Sequence, residues 1–94
     1  MKLSVENYRG IIKDLKLHAH ENKKLYIEII ANDLMLENEP TGKNVRSVTT
    51  ALALELLEGD MILNSCKGRK DFTVRYYCDN LSNNRKTYYE VLTK

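Results

Sequence analysis

Ninety-four residues suffice for one domain with a small core, since chains of this size bury only roughly 60–65% of the surface they expose when unfolded. With 43% hydrophobic and 30% charged residues the composition is that of a globular chain and excludes a polar, disordered one. The net charge of +2 hides a division, because residues 1–41 hold six Lys/Arg against seven Asp/Glu while residues 42–94 hold nine against six. No apolar run approaches the roughly 18 residues of a membrane span. The opening Met1-Lys2-Leu3-Ser4-Val5-Glu6 lacks the basic-then-apolar order of a signal peptide. The expectation is a single domain over 1–94, cytoplasmic and nucleoid-associated, with no membrane partner.

The first predicted element is a helix. Ser4 is placed to cap it, and Val5, Tyr8, Ile12, Leu15 and Ala19 recur at helical spacing, with Ile11 widening the stripe. Glu21-Asn22-Lys23-Lys24 then separates it from Leu25 to Leu36, where Ile27, Ile30, Ala31 and Leu34 make the buried side of a second helix. The opening Leu25-Tyr26-Ile27-Glu28-Ile29 fits a short strand equally well, and periodicity does not decide between the two. Glu37 to Lys43, with the single Pro40 and Gly42, is the clearest loop, and Asp33, Glu37 and Glu39 read as solvated charges.

A third helix is predicted over 44–58. Val45, Val48, Leu52 and Leu56 share one face and Gly59 offers a stop. Its first two turns expose Arg46, Ser47 and Thr50, whereas its last two add Leu54 and Leu57 and are apolar nearly all round. Between Pro40 and Leu54 there is no acid. Such a gradient buries the end of a helix and projects its start, which is the arrangement that carries a helix N-terminus into a DNA major groove.

Strands follow. Met61–Cys66 leads into the cationic turn Lys67-Gly68-Arg69-Lys70, and Asp71–Cys78 is rich in β-formers. After the loop Asp79–Asn84, residues Arg85 to Leu92 form a third candidate strand. Cys66 and Cys78 have no CxxC or paired-His spacing, so no zinc site or other cofactor is expected. Free thiols are the default, and a bridge between them requires their Cα atoms to lie within about 7 Å.

In this order the segments resemble a known family. Ser47-Val48-Thr49-Thr50-Ala51-Leu52, then Leu56-Leu57 and Gly59-Asp60-Met61-Ile62, resemble the recognition helix and following strand of a winged helix-turn-helix domain. Leu25 to Leu34 is similar to the helix before the turn in PadR-like regulators, and Arg85 to Thr93 resembles the last wing strand of PadR-like and MarR-like proteins. The loop between the second and third helices is longer than the three or four residues of a tight helix-turn-helix, and two turns compete for the wing tip. The resemblance implies an α+β winged helix-turn-helix, three helices followed by an antiparallel β-ribbon of two or three strands. It also implies sequence-specific binding of double-stranded DNA by a homodimeric transcriptional regulator.

The expected DNA-binding residues follow from these placements. Arg46 is suited to a guanine edge, Ser47, Thr49 and Thr50 to bases or phosphates, and Lys43 and Asn44 to the backbone at the helix start. Lys67, Arg69 and Lys70 form one candidate wing tip, and Asn83, Asn84, Arg85 and Lys86 the other. Tyr8, Ile11, Leu15, Leu54 and Leu57 exceed what one small core needs and are assigned to a homodimer interface. Tyr76-Tyr77 and Tyr88-Tyr89 read as packing residues, since neighbours on a strand face opposite ways. No nucleophile–base set or phosphate loop stands out, so an enzyme is not expected. A plasmid or phage partition adaptor, and a protein–protein adaptor that ignores DNA, are the alternative functions.

Overall fold

Helix α1, Val5–Glu21, starts where Ser4 supplies its cap. The Ser4 hydroxyl accepts the Asn7 amide at 3.1 Å and the Asn7 side chain accepts the Ser4 amide at 2.9 Å, a reciprocal capping box. The computed structural model describes residues 3–41, 43–64, 71–79 and 85–87. At the far end of α1 the Lys24 amide bonds the Ala19 carbonyl and the Lys23 amide that of His20, with Lys23 left-handed at φ 60°. This is a Schellman stop built on lysine instead of glycine.

The second apolar stretch divides in two. Strand β1, Tyr26–Ile30, runs directly into helix α2, Ala31–Asn38. Strand alternation puts Ile29 inside and leaves Ile30 40% exposed, so the buried set differs from the all-helical reading, which placed Ile30 inside. Helix α3 spans Val45–Leu54, shorter than the predicted 44–58. The Glu55 and Leu56 amides still bond the Ala51 and Ala53 carbonyls in its last turn, after which the chain leaves the helix: Leu57 N–H donates to the Asp60 carboxylate at 2.8 Å and Glu58 N–H to the Lys86 carbonyl at 2.7 Å. Gly59, expected as the helix stop, instead takes φ 93° in the turn between Leu57 and Asp60.

Strands β2, Met61–Asn64, and β3, Thr73–Tyr77, complete a three-stranded antiparallel sheet of order β1-β3-β2. Of the third predicted strand, residues 85–87 are described, and Thr87 makes an isolated bridge to Leu57. Among the described residues the architecture is α+β, three helices and a small sheet, with β1 inserted between the first two helices. The inner face of β3, Val74 and Tyr76, with Cys78 just past its end, closes a core with Tyr8, Ile12 and Ala19 of α1, Leu34 and Met35 of α2, and Val48, Ala51 and Leu52 of α3. Cys78 is a buried free thiol whose pKa burial pushes up, and Cys66 lies outside the described residues. No described helix is long and apolar enough to cross a membrane.

Candidate nucleic-acid interface

Helix α3 sorts its side chains by angle. At about 100° per residue, Arg46, Thr50 and Leu54 succeed one another along one line. All three are exposed, and Lys43 is exposed just before them. Ser47, Thr49 and Ala53 flank this line half-buried, and the Thr49 hydroxyl donates to the Arg46 carbonyl at 2.9 Å. Val48, Ala51 and Leu52, on the opposite side, are fully buried. The first turn holds no acid, so the exposed start of the helix presents cationic and hydroxyl groups beside its own amide dipoles.

Both ends of α3 are fixed by buried polar contacts. At its start the Asn44 side chain donates to the Leu3 carbonyl at 2.7 Å and to Glu39 Oε2 at 3.1 Å, while its backbone amide meets the Met35 sulfur at 3.3 Å. Glu39 in turn accepts the Leu3 amide at 2.6 Å and the Tyr8 hydroxyl at 2.5 Å. The hydrogen bond from Tyr8 chiefly, with those from Leu3 and Asn44, holds the Glu39 carboxyl below the usual carboxylate range despite its burial. Burial and the facing carboxylate raise the Tyr8 hydroxyl. At the other end Arg9 Nε donates to Glu55 at 2.7 Å, the Lys16 ammonium donates to the Glu55 carbonyl, and the Tyr76 hydroxyl donates to the Leu52 carbonyl at 2.6 Å. Lys16 also lies 4.3 Å from the centre of the Tyr76 ring. Burial pulls its amine below the ordinary lysine range, with Asp60 and Glu55 opposing that shift.

The expected contact residues therefore separate. Arg46 and Thr50 stand in solvent on one side of α3, with Ser47 and Thr49 beside them, and Lys43 is exposed two residues before the helix. Asn44 does not join them: it is 6% exposed and spends its side chain on Leu3 and Glu39. Arg85 is also turned inward, with Nη1 donating to the Tyr77 carbonyl at 3.0 Å and Nη2 to the Glu58 carbonyl at 2.6 Å and Asp60 at 2.9 Å. Lys86 is exposed. Lys67, Arg69, Lys70, Asn83 and Asn84 lie outside the described residues, as do Tyr88 and Tyr89.

The expected dimer residues separate too. Tyr8 is fully buried against Glu39 and belongs to the core, so it is unavailable to a second subunit. Ile11 and Leu57 are half-buried, whereas Leu15 and Leu54 are 38% and 44% exposed. Sequence reasoning missed the buried polar set, Lys16, Glu39, Glu55 and Asp60. In sequence Glu39 looks like a solvated loop charge, and the partners that bury it, Leu3, Tyr8 and Asn44, come together only in the fold. Among the described residues no group of three or more His, Cys, Asp or Glu is placed to hold a metal ion. Comparison with protein-family models, with curated proteins and with solved structures finds no match.

Proposed function

We propose that this chain is a winged helix-turn-helix protein that binds double-stranded DNA with α3 in the major groove, as a small transcriptional regulator. The observation that carries the reading is the exposed, acid-free line Arg46–Thr50 on a helix anchored at both ends, with the exposed Lys43 just before it. A fixed helix presenting long donors on one face suits base-edge contact, because the donors need no reordering of the backbone on binding. The element order, with β1 between the first two helices and a β1-β3-β2 sheet, is compatible with a winged helix. Occupation of an operator is the simplest regulatory act open to a domain of this size.

Fluorescence anisotropy of a labelled duplex of about 30 base pairs, titrated at low and near-physiological salt, tests the proposal. Binding that weakens steeply with salt is expected, with a slope of about −0.9 per phosphate contacted. On the selected site Arg46→Ala should cost roughly 1–3 kcal/mol and relax the preference at one base pair. Lys43→Ala should weaken all sequences alike. No binding at low salt overturns the reading and leaves the protein–protein adaptor.

A further inference from the structure

Among the described residues, strand β1 lies at the edge of the sheet. Its ladder to β3 is fixed by the register Tyr26 opposite Tyr77 through Ile30 opposite Thr73. The flanking bonds, Cys78 N–H to the Leu25 carbonyl at 2.8 Å and Ala31 N–H to the Phe72 carbonyl at 2.9 Å, show that the odd-numbered residues bond β3. Antiparallel alternation then turns the N–H and C=O of Tyr26 and Glu28 and the N–H of Ile30 to the open side, while the Ile30 carbonyl, at the N-cap of α2, takes the first bond of that helix.

Edges of this kind are usually protected by a proline, a bulge or a lysine within the strand. The other edge strand, β2, has a register shift between Ile62 and Asn64. Tyr-Ile-Glu-Ile-Ile has no proline, bulge or lysine, and its one charge, Glu28, is paired with Arg75 of β3. Beside it runs a groove of about 330 Å³, lined by Leu15, Ile27, Ile30 and Leu34 and by the charged Lys24, Asp33 and Glu37. Leu15 and Ile30 are 38% and 40% exposed there. Lys24 precedes the strand and the two acids follow it on α2, and none of the three has an ion-pair partner among the described residues.

We infer that β1 pairs with β1 of a second copy of this chain, antiparallel across a twofold axis at Glu28, joining the two sheets into one. A twofold interface must be self-complementary, and this one is. Tyr26 falls opposite the partner's Ile30: the Glu28 N–H donates to the carbonyl of the partner's Glu28, and the Ile30 N–H to the carbonyl of the partner's Tyr26, each bond repeated by the twofold. The Lys23–Lys24 end of one copy meets the Asp33–Glu37 end of the other, at both ends of the joint. The two Glu28 carboxylates meet near the axis, each already held by its own Arg75 through Nε at 2.8 Å and Nη2 at 2.6 Å, so the central cluster carries no net charge. The exposed Leu15 of each α1 is covered along the groove.

Sedimentation equilibrium of the full chain, without DNA, tests this independently of the DNA-binding reading. A dimer is expected at micromolar concentrations. Lys24→Glu and Asp33→Lys should each weaken it by about tenfold or more, because like charges then face each other at both ends. The double variant, with the two charges exchanged, should regain the wild-type constant. Ile30→Lys, an edge lysine at an exposed position, should give folded monomers by circular dichroism. A wild-type chain that stays monomeric overturns the proposal, as does a dimer that ignores both the charge exchange and Ile30→Lys.

Discussion

Glu39 is a single carboxylate that ties the start of α1 to the loop before α3, accepting from Leu3, Tyr8 and Asn44. Its hydrogen bonds favour the charged form more than burial disfavours it, so its pKa is lower folded than unfolded. A carboxyl with a depressed folded pKa contributes stability that is complete above its unfolded pKa and disappears as pH falls through the folded one. Replacing Glu39 by Gln should therefore lower the melting temperature most above about pH 5, with the gap to wild type narrowing at lower pH. Thermal melts of both proteins from neutral to acid pH check this, and parallel curves would refute it. The sequence does not reveal this role, because a glutamate beside Asn38 and Pro40 looks the same whether it faces water or a tyrosine from α1.

Among the elements, α1 is the one whose limits the sequence states most openly. Ser4 and Asn7 have side chains of the right length to satisfy free amides at a helix start, a local matter of four residues. Ser4→Ala should cost about 1 kcal/mol in urea denaturation, and Ser4→Asp much less, since aspartate also caps. The buried face of α1 was less legible. Leu15 fits the stripe with Tyr8 and Ile12, yet it is exposed and Lys16 is buried, because Tyr76 and the Glu55 carbonyl stand beside position 16 while a groove opens beside position 15. The stretch Leu25–Ile30 shows the same limit. A short apolar run is compatible with either period, and pairing with β3, some fifty residues later, decides that it is a strand.

At the scale of the whole molecule, Asp60 and Arg85 tie the end of α3 to the sheet and to the segment that follows it. Asp60 accepts from Leu57 N–H, Tyr77 N–H and Arg85, the first two at 2.8 Å, and its side chain is 1% exposed. Removing one partner of a buried pair strands the other, so Asp60→Ala should cost about 3–5 kcal/mol by chemical denaturation. Arg85→Lys should also lower stability, since lysine lacks the fork that reaches the Glu58 and Tyr77 carbonyls together. The same variant should leave the salt dependence of duplex binding unchanged, whereas Lys43→Ala should make the slope shallower by about one phosphate. A shallower slope for Arg85→Lys would return that residue to the contact surface.

Much of this protein was determined by sequence alone, wherever the determining forces act over a few residues. The cap at Ser4, the apolar line Val48–Leu52–Leu56 and the acid-free start of α3 are all short-range patterns, and each stands in the structure where the chain places it. Tertiary structure decided what depends on distant partners. It withdrew Asn44 and Arg85 from solvent, took Tyr8 into the core, ended α3 at Leu54 and put β1 at the edge of the sheet the described strands form. The physical reason is common to all five. Whether a polar group faces water or a partner, and whether a strand has one neighbour or two, depends on chain segments that come close only after folding, and local periodicity holds no record of them.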